Sequence, residues 1–583
     1  MKYLFLVMLA LIASLALVGC AKKHPLVPVT PWADIANDSL CFFTVSTDPE
    51  GLKVCYVFDW GDGNTTTTSL APSGDTGWCS HEFAGTAVHY IKVKARNEKG
   101  VESGWSPSLT FHPSQPPQVV DSIVGLRRWA VDRWYHASVR VTDPEADSVA
   151  VRFVWGDLPA AGWSAFVPSG SVVTDSCKWA AIGPHAVRVV LKDKSCAVCR
   201  PGEVKTVSVS EMAILWSTYD EDRYYDATPT LGTIDGEPVL YCVSYDGVDC
   251  YTLDGRLRWR AAVTGECTHA GSVSLDGSRL YLADYDNGLM CLDTRTGQKK
   301  WSLDWYTIDC TPAIGPDGTI YVTRYAGQLS RIRDCGDSAA VEWIRTIGDY
   351  AVDGVVIGRN GAAYAIGSGG SQYHRLVAVD STGAELWHDS TRLYGPTAPP
   401  VIDSRDRILV TDEYGYLFCF NPDGTLTWSV SMSEPCGGAT AVGRDDEVIV
   451  TDNYGWITGY DSTGRQQWAS DLDYFGALNT PCVAQDSTII AYDPDEGYAY
   501  GIGIDGQTLW EFSIWDSLDY EKQPARRDEG DGYPSAVIGP NGDLYLASGD
   551  GLLCLARAGL RMANTAWPTY NHDNARSGWA GRP

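Results

Sequence analysis

At 583 residues, 44% hydrophobic and 20% charged, the chain has material for several cores of about 150 residues each. Its 22 Trp and 31 Tyr against 6 Met favour aromatic-rich sheet over helix bundles. A formal net charge of −28 repels polyphosphate and anionic lipid headgroups alike, so nucleic acid is not an expected partner.

The chain opens with Lys2 and an almost wholly apolar run from Tyr3 to Val18, ending in Leu17-Val18-Gly19-Cys20. That run is too short to span a bilayer and reads as a signal h-region. The Leu-Val-Gly-Cys phrase resembles the lipobox of bacterial lipoproteins. The resemblance implies removal of residues 1–19 and acylation of Cys20, hence an exported envelope protein, lipid-anchored at the outer membrane or cell surface. Residues 20–31 carry Pro25, Pro28 and Pro31 and read as an extended tether. Of 17 Cys, 16 remain beyond the anchor, an even number that an oxidising compartment would allow to pair. The pairing stays open, and Cys196-Ala-Val-Cys199, with no second CxxC, is read as structural rather than as a zinc or redox motif.

Two related modules follow, over 32–113 and 114–210. Thr47-Asp48-Pro49-Glu50 and Phe58-Asp59-Trp60-Gly61-Asp62 recur as Thr142-Asp143-Pro144-Glu145 and Phe153-Val154-Trp155-Gly156-Asp157, each 95 residues on, which points to duplication. Alternating stretches such as 53–58, 89–94, 148–153 and 185–190 read as strands, so each module fits an immunoglobulin-like β-sandwich. Asp59-Trp60-Gly61-Asp62-Gly63, with Val93 to Asn97 downstream, resembles the PKD and fibronectin type III group. Leu158 stands where Gly63 does, so the second turn must differ.

From 211 to 583 the pattern changes. Trp recurs at 216, 259, 301, 343, 387, 428, 468 and 510, mostly closing a phrase such as Asp423-Gly424-Thr425-Leu426-Thr427-Trp428. A second phrase lies upstream, as in Pro312-Ala313-Ile314-Gly315-Pro316-Asp317-Gly318-Thr319-Ile320-Tyr321-Val322. Asp-Gly and Asn-Gly mark hairpins, and β-branched and aromatic flanks mark strands. About four short strands per unit cannot bury both sheet faces alone, whereas radial stacking can, so the units predict an eight-bladed β-propeller. The last unit lacks its terminal Trp phrase, so Ile214–Trp216 is expected to supply its outer strand and close the ring. The fold class is therefore all-β, two tandem immunoglobulin-like β-sandwiches followed by an eight-bladed β-propeller with a C-terminal extension. These phrases, with Trp567-Pro568 and His572-Asp573 near the end, resemble the PQQ-like repeat family, which contains quinoprotein dehydrogenases and an outer-membrane assembly scaffold lipoprotein.

Chemistry is sparse in the sequence. The family's quinone site often uses adjacent cysteines, and no Cys-Cys pair exists here, so PQQ is not expected. There is no Gly-x-Ser-x-Gly and no His-Glu-x-x-His. Oxygen-rich loops at 59–63, 219–222, 493–496 and 528–531 offer ligands for a structural Ca²⁺, although turn chemistry explains them equally well. No metal or catalytic residue is assigned. Tyr285 and Asp286, Tyr414, and Tyr454 recur at turns within successive units and are the candidate binding residues of an acidic aromatic rim. The functional expectation is a non-catalytic binding or scaffold module for envelope proteins or polysaccharide. The alternative is a PQQ/Ca²⁺-dependent dehydrogenase or another propeller enzyme.

Overall fold

The computed structural model describes residues 24–563 except 37–38, 86, 126, 160, 195–197, 200–203, 221–222, 226, 264–266, 268, 285–287, 306–309, 369–373, 397, 433–439, 473–479, 494–496, 515–533, 549–550 and 558–559, together with 573. Cys20 and Cys196 lie outside these residues. Strands dominate, and the described residues contain one short 3₁₀ turn, Arg444–Asp446, and no α-helix. No helix among them is long and apolar enough to cross a membrane. Two compact units divide the chain. One takes residues up to Arg127 with Trp134–Lys178 and Pro184–Val207, and the other takes Arg128–Arg133, Trp179–Gly183 and Ser208 onward.

The first unit contains the duplicated phrases, and their two copies do the same structural work. In the first copy, Trp32–Ala36, Ser39–Val45 and Thr76–Cys79 form one sheet, and Thr65–Thr67, Val54–Asp59, His89–Asn97 and Leu109–Phe111 form another. Alternation along His89–Asn97 sends Ile91, Val93 and Ala95 into a core shared with Phe42, Tyr56, Phe58 and Trp60. In the second copy, Trp134–Thr142 pairs with Val172–Lys178, and Val149–Trp155 pairs with the strand from Gly183 to Asp193. Phe58 stacks on Trp60 and Phe153 on Trp155, both with ring centroids 5.2 Å apart. Asp48 and Asp143 each accept the amide N–H of the Glu two residues on, at 2.9 Å. Gly61 and Gly156 both take positive φ, so the Leu158 difference leaves the first bend of the turn intact.

The described residues of the second unit form eight four-stranded antiparallel sheets, numbered I to VIII in chain order. Sheets I to VII span 230–262, 272–303, 313–346, 351–393, 401–431, 441–471 and 482–513. Sheet VIII is built from 537–557, with Met212–Tyr219 as its fourth strand. Burial along each sheet explains the sequence pattern. Second strands are buried on both faces, as in Glu237–Ser244 and Ala363–Ser368, and read as continuous apolar runs. Outer strands alternate, as in Leu426–Ser431. Each sheet gives one face to a core shared with its predecessor and the other to a core shared with its successor. Tyr241 packs toward sheet II, while Leu240 and Cys242 pack toward sheet VIII. Such shared cores join I to II, II to III, III to IV, IV to V to VI, VI to VII, VII to VIII, and VIII back to I.

The periodic Trp is the clamp between sheets. Trp216, Trp259, Trp343, Trp387 and Trp428 each donate their indole N–H to a backbone carbonyl in the 3–4 turn of the next sheet, at 2.7–3.2 Å. Trp301 instead reaches the Asp334 carboxylate at 3.0 Å. The glycine of that turn lies flat against the ring. A Cβ on Gly297 would come within 2.5 Å of Trp259, and one on Gly424 within 2.6 Å of Trp387. This close approach explains the recurrent Gly of the phrase. Trp468 and Trp510 differ. Their cross-strand neighbours are Gly459 and Gly501, and each indole folds over its own sheet where those side chains are missing. Trp468 accordingly donates to Glu447 of its own sheet at 2.9 Å, and Arg557 lies over the Trp510 ring at 5.2 Å.

The unit also annexes an upstream piece. Arg128–Ala130 pairs in parallel with Ser208–Ser210, just ahead of the closing strand, and Arg133 forms an ion pair with the buried Asp543 of sheet VIII. Thirteen cysteines have described thiols, and Cys335 alone among them is exposed. Burial pushes several of these thiols up, Cys419 to about 12, so they pack as small apolar groups.

Candidate functional site: the hairpin rim

Among the described residues, a tight hairpin joins the second strand to the third in sheets I, III, V and VI. Tyr414 and Tyr454 occupy equivalent places on these hairpins in sheets V and VI, with 63% and 48% exposure. Tyr285 and Asp286 lie outside the described residues. The hairpins of sheets V and VI are each shaped by one carboxylate. Asp412 Oδ1 accepts the amide N–H groups of Tyr414 at 3.1 Å and Tyr416 at 2.9 Å. Asp452 Oδ1 accepts those of Tyr454 and Trp456, both at 2.9 Å. This Asx turn forces the aromatic side chains outward at alternate positions. Asp412 is fully buried, and desolvation raises its pKa against the lowering effect of those amides.

Further aromatic residues join the rim. Tyr325, on the hairpin of sheet III, is 58% exposed and stacks on Tyr350 at 6.0 Å. The Tyr350 hydroxyl lies 2.8 Å from His374 Nε2, and His374 Nδ1 accepts the Gly395 N–H at 3.1 Å. An Nδ1 that accepts carries no proton, so the neutral ring donates from Nε2 to the Tyr350 oxygen. Burial depresses the His374 pKa below its ordinary 6.5, with Glu413 opposing. Tyr394 then meets Tyr414 edge-on at 5.2 Å. Contacts thus run from the hairpin of sheet III, across sheet IV, to the hairpin of sheet V. Tyr416 and Trp456 flank the tips and remain about 40% exposed, at 41% and 39%.

On sheet I the same edge is charged. Asp249 is fully buried, takes Arg260 Nε at 2.9 Å and the Tyr225 hydroxyl at 2.7 Å, and has Arg223 at 3.7 Å. Arg223 also binds Asp246, beside the exposed Tyr245.

Sequence reasoning singled out Tyr414 and Tyr454 and missed Tyr245, Tyr325, Tyr350, His374, Tyr416 and Trp456. For the hairpin tyrosines a signal was present. Each of Tyr245, Tyr285, Tyr325, Tyr414 and Tyr454 precedes a Gly by one to three residues at the end of a second strand. Among the described residues no three His, Cys, Asp or Glu side chains converge as metal ligands. In the loop at 59–63, Asp62 is held by His81 at 2.7 Å, which lowers its pKa to about 2, and Asp59 faces Lys92 at 3.3 Å. The rim therefore offers ring faces, hydroxyls and carboxylates, the groups that recognise a partner surface.

Comparison with known proteins agrees with the PQQ-like β-propeller architecture. No curated protein matches. Among solved structures, that of BamB from Moraxella catarrhalis is 16% identical, covering 59% of this chain and 99% of its own, with a TM-score of 0.47. A computationally designed protein, Ika8, is 12% identical with the same coverage and TM-score. The family described as outer membrane protein assembly factor BamB matches residues 200–354 and 373–567, more than half of the sequence. The chain belongs to that family.

Proposed function

We propose that this protein is a lipid-anchored, non-catalytic envelope scaffold that binds a protein partner through the hairpin rim of an eight-bladed propeller. Two immunoglobulin-like sandwiches would carry that head away from the membrane; the Pro-rich segment expected as a tether is instead docked on the first of them, where the Leu26 and Val29 amides donate to Thr47 O at 2.9 Å and Val45 O at 3.2 Å. The carrying observation is the repeated presentation of exposed tyrosine on equivalent hairpins, fixed in sheets V and VI by a carboxylate that binds two amides. Exposed aromatic side chains grouped along one rim and flanked by polar groups mark a surface that a partner contacts. The continuous circuit of shared cores supports eight blades in a closed ring. The family name, which speaks of assembly at the outer membrane, supports a protein partner over a small substrate. Quinone chemistry is not favoured by any residue described above.

The test is capture from a detergent extract of the envelope, comparing the full chain with the Tyr414→Ser/Tyr454→Ser double variant. Exposed Tyr at an interface centre contributes about 2 kcal/mol each, so recovery of the partner should fall by roughly tenfold or more. Equal recovery by the two proteins would remove the rim from the binding reaction. Recovery of glycan in place of protein would replace the partner class.

A further inference from the structure

Between sheets V and VI the rim opens into a groove of about 280 Å³ lined by Ser431, Met432, Val450, Asp452, Trp456 and Thr458, with Tyr460, Gln466 and Ala469 deeper along sheet VI. Its origin is a local change of side-chain size. The cross-strand row that runs through Thr458 and Ala469 in sheet VI holds Phe418 in sheet V and Tyr500 in sheet VII at the Thr458 position. Two small side chains thus leave room where neighbouring sheets are filled by a ring. Trp456 stands at the mouth, 39% exposed, next to the hairpin that carries Tyr454.

The lining has one carboxylate, several hydroxyls and an amide, and no Lys, Arg or His among the described residues. It lies on a protein of net charge −28, whose field draws cations toward such a cleft. We infer that this groove receives an arginine side chain projecting from the protein partner. The planar guanidinium can stack on the Trp456 face while its N–H groups donate to Asp452 and the Thr458 hydroxyl. The volume suits one long side chain and excludes a folded element. The inference rests on the protein-partner reading above and adds the chemical identity of a contact.

Asp452→Asn is the discriminating substitution. The Asn carbonyl still accepts the Tyr454 and Trp456 amides, so the hairpin is kept while the charge is lost. The full chain is labelled with 5-fluorotryptophan, and the Trp456 resonance is identified by its disappearance in Trp456→Phe. N-acetyl-arginine amide is titrated against the neutral isostere N-acetyl-citrulline amide and against methyl glucoside. The arginine probe should shift the Trp456 signal saturably. Its affinity should fall about tenfold in Asp452→Asn, and also for citrulline and at high salt. Salt and citrulline read the wild-type protein, so they decide the matter even if a variant folds poorly. No saturable shift, equal binding of citrulline, or preference for the glucoside would overturn the inference. The outcomes separate from the rim test. A silent groove alongside lost capture in the tyrosine variant sinks the arginine contact alone. Arginine binding with undiminished capture sinks the rim reading alone.

Discussion

Gly424 is where the repeat phrase becomes a physical constraint. Its φ is +86°, and an added Cβ would lie 2.6 Å from Trp387 Cδ2. Trp387 in turn donates to Pro422 O at 2.7 Å, so neither ring nor turn can retreat without losing that bond. Gly318 shares the positive φ, at +78°, but has nothing within 4 Å of its missing Cβ. The two positions separate backbone strain from docking. Gly318→Ala should cost about 1 kcal/mol from the left-handed conformation alone. Gly424→Ala should cost about 3 kcal/mol, the same strain plus overpacking against the indole. Urea unfolding of the two variants checks this, and equal midpoints would mean that the indole contact contributes nothing to joining the sheets.

Among the elements, the strand Met212–Tyr219 has the largest consequence for its length. It pairs with Gly551–Arg557 from Met212↔Arg557 to Tyr219↔Gly551, and its Trp216 donates to Leu253 O of sheet I at 2.8 Å. Removing Trp216→Ala should cost about 3 kcal/mol, as for other aromatic truncations in a packed layer. Deleting residues up to Tyr219 should do more. Gly551–Arg557 would become an open edge of buried apolar residues, and the protein should self-associate with rising concentration, as sedimentation would measure. A monomer after that deletion would argue against strand closure. This element was legible in the sequence because a missing phrase at one end matched a spare phrase at the other. The four-strand units and their turns were legible for the same local reason, since Asp-Gly hairpins and a 40-odd-residue Trp period need no partner to be recognised. What escaped depended on neighbours far along the chain. Trp468 and Trp510 read like the other six until Gly459 and Gly501 are found beside them across a strand. The Tyr325–Tyr350–His374 contacts draw on the units of sheets III and IV. Arg128–Ala130, three residues in a parallel pair, carries no periodicity to detect.

For the whole molecule, charge and anchor pull against each other. With 73 acidic and 45 basic residues, the chain is repelled by an anionic bilayer surface, the more so at low ionic strength. No helix among the described residues is long and apolar enough to cross a membrane. On the proposed reading, acyl chains on Cys20 would supply the affinity for the envelope membrane, and two or more chains suffice for stable attachment. The expectation is sharp because the usual alternative, a basic patch that adsorbs to lipid, has the wrong sign here. Cys20→Ser should therefore move the protein from the membrane pellet to the soluble fraction at about 20 mM and about 500 mM salt alike, conditions between which the Debye length falls from roughly 20 Å to roughly 4 Å. A variant that stays in the pellet and is released only by high salt would place a charged membrane protein, rather than lipid, beneath it. One that stays at both salts would deny the anchor altogether. The same experiment bears on the rim, because a head held at the membrane meets a partner there at a raised effective concentration, and the freed variant should capture that partner less well from intact membranes than the lipidated protein does.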